Sequence, residues 1–228
     1  MLLTFSLHTS AGESRLETEI DQFIIAGWAG RDAAAIEHHI DELAAIGVPR
    51  PSAVPLYYRV AANQLTQAER VQVVGPHSSG EVEAFVFAHG GELYVSLTSD
   101  HTDRKLEAHS VALSKQVCAK PVARVAWRHA DVAGHWDTLR VRAHIVENGV
   151  DTPYQDGLLA SLRSVPDLIA RHTGGGTTLP DGTAMSCGTV AVIGGIRPAS
   201  SFRMSLHDPA SGRSIEHRYT VDVLPEVA

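Results

Sequence analysis

The sequence predicts an α+β domain built on antiparallel or mixed sheets, and three observations lead there. Most of the chain reads as short strand-like runs, only a few stretches carry helical periodicity, and the two kinds do not alternate as βαβα units would. Residues 2–8 alternate apolar and polar side chains, the pattern of a half-buried strand. Residues 23–27 form a short apolar run ending at Gly27, consistent with a buried strand. Residues 32–46 have helical spacing, with Asp32 as N-cap and Gly47 as C-cap. Pro49, Pro51 and Pro55 then interrupt regular structure before residues 56–60.

Downstream, residues 71–74, 81–88 and 92–97 read as strands, the last two joined tightly through His89-Gly90-Gly91. A helix is expected over 103–116, strands over 122–127 and 138–146, and a turn at Asn148-Gly149. A second helix is expected over 156–172, interrupted near Pro166. Strands over 185–194, 202–207 and 214–223 follow, with a hairpin turn supplied by Asp208-Pro209 and Ser211-Gly212.

A chain of 228 residues with 44% apolar content is long enough for one sizeable domain with a real core. The expectation is a single catalytic domain over 1–228, with 1–21 as an N-terminal strand and lead-in. Gly174-Gly175-Gly176 reads as a loop and not as a linker. A formal charge of -7 without a basic cluster argues against nucleic acid or an anionic membrane as partner. No apolar run approaches the roughly 20 residues of a membrane helix, and residues 1–7 lack the basic region of a signal peptide. A soluble cytoplasmic protein is therefore expected. Cys118 and Cys187 form neither a zinc spacing nor a disulfide framework and read as buried thiols.

Residues 81–118 carry most of the chemistry. On a strand, Glu81 and Glu83 project from one face about 6.5 Å apart, while Val82 packs on the other. If Gly90-Gly91 folds the next strand back, Asp100 returns beside them. Three hard oxygen ligands completed by water suit Mg²⁺ or Mn²⁺ better than Zn²⁺. The plain alternatives are a solvated Glu-x-Glu face and Asp100 as a helix N-cap. His39 and Glu42 sit three apart on one helical face, a general-base pair or a solvated flank, and His38 competes with His39 for the role. Only three lysines occur, Lys105, Lys115 and Lys120, so a lysine inside this stretch stands out.

Together these residues resemble the fumarylacetoacetate hydrolase superfamily, from about residue 22 to the C-terminus. Residues 23–32 are similar to a strand ending in a Gly-Arg-Asn-like turn, and His39-x-x-Glu42 to the catalytic His-x-x-Glu. Glu81-x-Glu83 resembles the paired glutamate ligands, and Asp100-His101-Thr102-Asp103-Arg104 the Asp-x-Thr/Ser-Ala-Arg segment. Ser114-Lys115-Gln116 with Lys120-Pro121-Val122 parallels the strand bearing the active-site lysine, and residues 181–189 the Gly-Asp-x-Ile-x-Thr-Gly-Thr-Pro stretch. Val190 stands where that stretch has proline. Only sixteen residues separate Glu83 from Asp100, and fourteen separate Asp100 from Lys115, so pocket loops are shorter than in familiar members.

The resemblance implies a mixed β-sandwich or β-roll with a few peripheral helices, holding Mg²⁺ or Mn²⁺ through Glu81, Glu83 and Asp100. It implies a small oxo-acid substrate and a homodimer. The implied reaction is hydrolysis of a C–C bond in a 2-oxo or 1,3-dioxo acid, acylpyruvate-like, through an enolate held at the metal. His39 oriented by Glu42 is the implied base and Lys115 the implied cation. Arg104 is a substrate-carboxylate ligand or a helix anchor, Thr189 a hydrogen-bond donor, and Tyr154 and Gln155 pocket residues or parts of a turn. The rival readings are a lyase on the same scaffold (hydratase, dehydratase or decarboxylase) and a non-catalytic small-molecule-binding domain.

Overall fold

The computed structural model describes residues 1–10, 12–45 and 50–227. Leu3, Phe5 and Leu7 point inward along β1 (Leu2–Thr9), as the alternation requires, and β1 pairs antiparallel with the exposed β2 (Gly12–Glu19). The apolar run Phe23–Ala26 is buried on both faces in β3 (Gln22–Gly27). Asp32 caps α1 (Ala33–Ala45), its Oδ1 accepting from the N–H groups of Ala34 and Ala35 at 2.9 and 3.1 Å. Gly47, expected as the C-cap, lies outside the described residues.

Next come β4 (Leu56–Val60), β5 (Leu65–Thr66), β6 (Arg70–Val74), β7 (Ser78–Ser79), β8 (Val82–His89), β9 (Glu92–Ser99) and β10 (Thr102–Asp103). The helix expected over 103–116 is two helices, α2 (Arg104–Glu107) and α3 (Val111–Gln116). Two caps explain the split: Asp103 accepts from Leu106 N–H, and Ser110, in extended backbone at φ −158°, accepts from Leu113 N–H. Then follow β11 (Lys120–Pro121), β12 (Val125–Arg128), α4 (His129–Val132), β13 (Arg140–Glu147) and β14 (Val150–Leu158). The helix expected over 156–172 is corrected by the structure. Residues 156–158 end β14, residues 159–161 make a single 3-10 turn, and the α-helix is α5 (Val165–Thr173). Pro166 belongs to its first turn, where no N–H is needed, and Ser164 is its cap. The chain closes with β15 (Thr183–Thr189), β16 (Ser201–Asp208) and β17 (Arg213–Leu224).

Among the described residues thirteen of these strands form an eight-stranded sheet, ordered β2-β1-β12-β9-β8-β15-β3-β4, and a five-stranded sheet, ordered β14-β13-β16-β17-β6, while the other four pair as β7–β10 and β5–β11. Both larger sheets are mixed: β1 runs parallel to β12, β3 to β15, and β6 to β17. One apolar layer joins Val82, Ala84, Val86, Val95 and Leu97 to Val141, Ala143, Phe202, Met204 and Tyr219 of the smaller sheet. The opposite face of β8 carries Phe85 and Phe87, which pack with Phe5, Phe23 and Tyr94. The result is a mostly β architecture of two packed mixed sheets with a few helices and no closed barrel. No helix among the described residues is long and apolar enough to cross a membrane, and both cysteines are free and buried.

Three glycines fix how the central strands meet. Gly90 and Gly91, at φ 60° and 75°, make the β8–β9 turn, the left-handed pair that a two-residue hairpin favours. Gly188, at φ 89°, interrupts the β15–β8 register between Ser186 and Thr189, and a Cβ there would lie 2.7 Å from Ala29 Cβ. Gly188→Ala should therefore cost about 1–3 kcal/mol through strain and overpacking. Gly134→Ala, whose Cβ would meet nothing within 4 Å, should stay within about 0.5 kcal/mol. Urea denaturation of the two variants checks the difference, and equal midpoints would contradict the argument.

Candidate metal centre

Strand register delivers the acidic residues to one place. Val82 pairs with Ser99 and Glu83 with Thr98, and beyond the last rung Asp100 N–H donates to Glu81 O at 2.9 Å. Glu83 shares the β8 face that carries Phe85 and Phe87, so it continues an apolar face with a carboxyl group. One ligand atom each from Glu81, Glu83 and Asp100 lies within 4.8 Å of the others. Glu83 is 3% exposed and Asp100 1%. Three carboxylates so close repel and lose their hydration, so each needs donors or cations.

The donors are specific. Glu83 Oε2 accepts from Ser186 Oγ and, at 3.0 Å, from Gly188 N–H, both on β15. Asp100 is clamped between two ammonium groups. Lys115 Nζ, from α3, donates to Oδ2 at 2.5 Å, and Lys120 Nζ, from β11, donates to Oδ1 at 2.8 Å. Lys120 also donates to His101 O and is fully buried. Arg104 Nη2 lies 3.1 Å from Glu81 Oε1 as an ion pair without hydrogen-bond alignment. Its Nη1 donates to Glu107 at 2.8 Å and its Nε to Ser79 Oγ at 2.8 Å.

Titration behaviour follows from this packing. Burial, then the charges of Asp100 and Glu81, push the Glu83 carboxyl up to about 8. Burial also raises Asp100, but Lys115 and Lys120 outweigh it and hold that carboxyl well below its ordinary range. For Lys115, burial opposes the charge and the carboxylates win, so its ammonium is held above the usual lysine value. Lys120 ends below it, because burial dominates. His101 drops to about 3 through burial and the nearby Lys120 and Arg104 charges. It is a neutral ring bridging Ser78 Oγ at 2.9 Å and Tyr219 OH at 3.0 Å.

The remaining sequence-predicted residues fall into three groups. Gln155 and Thr189 stand beside the acidic strand: Gln155 Oε1 accepts from Val82 N–H at 2.9 Å, Thr189 Oγ1 donates to Val82 O at 2.8 Å, and Gln155 Nε2 donates to Thr189 Oγ1 at 2.7 Å. The pair holds the one residue between Glu81 and Glu83. Tyr154 lies one residue before Gln155 on β14. It is buried at a β13–β14 bulge, its ring against Phe202 and its hydroxyl accepting from Arg197 N–H. The side chains of His39 and Glu42 lie outside the described residues, although both positions belong to α1. The sequence alone does not place Lys120 on Asp100. Its signal was rarity, one of three lysines and next to Pro121 in the segment already singled out.

Residues 26–219 match the family model described as Protein of unknown function (DUF2848). No curated protein matches the sequence. Among solved structures, a candidate fumarylpyruvate hydrolase from Burkholderia cenocepacia is similar over 98% of this chain and 96% of its own, at 18% identity and TM-score 0.62. A candidate fumarylacetoacetate hydrolase family protein from Yersinia pestis CO92 covers 94% of this chain with 100% of its own, at 16% identity and TM-score 0.64. A 2-keto-3-deoxyarabinonate dehydratase aligns over 93% of this chain and 78% of its own, at 15% identity and TM-score 0.63. The likeness establishes a fold of the fumarylacetoacetate hydrolase type.

The Asp100 clamp makes its own prediction. Lys120→Met removes a fully buried cation from a buried carboxylate, which should destabilise the chain by about 3–5 kcal/mol. Denaturant unfolding measures it; an unchanged midpoint would mean that Lys120 is not holding Asp100.

Proposed function

The chain belongs to the DUF2848 family, and we propose that it is an enzyme of small 2-oxo or 1,3-dioxo acids, working with Mg²⁺ or Mn²⁺ to hydrolyse a C–C bond in an acylpyruvate-like substrate. One observation carries this reading: the oxygens of Glu81, Glu83 and Asp100 converge within 4.8 Å at the open end of the β8–β9 hairpin. The donor set fits the group, since hard carboxylate oxygens without sulfur or imidazole suit a hard dication. Once bound there, such an ion supplies Lewis-acid polarisation of a carbonyl oxygen.

The chain's own residues then divide the work. His39, oriented by Glu42 three positions on, takes the proton of the attacking water. Lys115 and Lys120 place positive charge where an oxyanion develops. For Arg104 the anchoring role has more support, because its guanidinium is already divided among Ser79, Glu107 and Glu81. Thr189 and Gln155 fix the β8 backbone between two ligands and so position them, while Tyr154 supports the sheet behind them. In the same reading the protein is cytoplasmic and homodimeric. A lyase is the second reading, favoured by the similarity to a 2-keto-3-deoxyarabinonate dehydratase.

Thermal melting with chelator and then with Mn²⁺ tests the ion. At about 100 times Kd the gain should be about 2.7 kcal/mol, and Glu83→Ala should abolish it; no shift in the unmodified chain would contradict the assignment. Products from acylpyruvates, oxaloacetate and sugar-derived 2-oxo acids, identified by mass spectrometry, separate hydrolase from lyase. His39→Ala should lower turnover by about 10²–10⁴-fold while sparing the Mn²⁺ shift, and turnover of none of the panel by the unmodified chain would leave only a binding role.

A further inference from the structure

Resting on the assignment of Glu81, Glu83 and Asp100 to a metal, we propose that Lys115 is a tethered competitor of that metal: it occupies Asp100 Oδ2 in the metal-free chain and must withdraw before a dication binds. The argument starts from which oxygens remain. Asp100 Oδ1 is committed to Lys120 at 2.8 Å, with Thr102 Oγ1 at 3.4 Å. Oδ2 is the oxygen left for a metal, and Lys115 Nζ already holds it at 2.5 Å. A dication and an ammonium cannot share one carboxylate oxygen without strong repulsion in a dehydrated site.

Formal charge leads to the same place. Four carboxylates, Glu81, Glu83, Asp100 and Glu107, face three cations, Lys115, Lys120 and Arg104. A dication added with all three cations in place would turn a formal charge of minus one into plus one. Two of the cations are built in. Lys120 has no exposed surface and a second bond to His101 O, and Arg104 is shared among Ser79, Glu107 and Glu81. Lys115 differs. Its described hydrogen bond is the one to Asp100, and it stands in the last turn of the short α3. It also has somewhere to go, since its ammonium is already 5.7 Å from the centre of the Tyr58 ring, a face that can accept a displaced cation.

Calorimetric titration of Mn²⁺ into the full chain tests the competition without relying on turnover. Lys115→Gln should bind about tenfold tighter or more, as removal of a unit charge beside a dication requires. Lys115→Arg, which keeps the charge, should stay within about threefold of the unmodified chain on the same ground. Without metal, Lys115→Gln should melt below the unmodified chain, and saturating Mn²⁺ should close the gap. If Lys115→Gln does not fold, Tyr58→Leu takes its place: weaker Mn²⁺ binding supports the exchange and an unchanged Kd overturns it. Binding to Lys115→Gln that is equal to or weaker than that of the unmodified chain overturns the competition and leaves the metal assignment intact. Binding to no form overturns both.

Discussion

Holding three carboxylates, two buried and one half-buried, within a few ångströms of one another is the constraint on which the rest of this structure depends. Desolvation and mutual repulsion both oppose it, and the fold answers with fixed donors. Ser186 and the Gly188 amide satisfy Glu83, Lys115 and Lys120 clamp Asp100, and Arg104 faces Glu81. These donors come from β15, α3, β11 and α2, so segments far apart in sequence are tied to one point. The raised Glu83 carboxyl, at about 8, marks where the compensation is least complete.

The apolar architecture makes that arrangement affordable. β8 is buried on both faces, with small aliphatic residues toward the five-stranded sheet and phenylalanines toward β1 and β3. A strand held so firmly does not slip, and a shift of one residue would turn both glutamates into the opposite layer. Gln155 and Thr189 add a lock on Val82, pinning the backbone between the two ligands from a second sheet and from β15.

Much of this was readable from the chain. The i, i+2 glutamates, the Gly90-Gly91 turn and the position of Asp100 at the far strand end were enough to bring three carboxylates together, because strand geometry has a strict period. The two-sheet, mostly β fold was also legible. Other features resisted for physical reasons. β2 has few apolar residues, since it is an exposed edge, and its sequence GESRLETE gives no core-facing alternation. The strand end at 156–158 reads as helix because charged and small residues there suit either state, and Pro166 reads equally as an interruption or as the first-turn residue that it is. Lys120 is a charge inside a core, a placement that only its tertiary partner Asp100 explains.

The fold, matched at 13–18% identity to structures that include a hydrolase-like protein and a dehydratase, leaves the chemistry to its site. What the site claims is a place for one hard dication. Anomalous diffraction from crystals equilibrated with Mn²⁺ measures that directly. The account requires a single strong peak within about 2.0–2.6 Å of oxygens from Glu81, Glu83 and Asp100. A peak elsewhere, or none with Lys115 still on Asp100 at saturating metal, would contradict it.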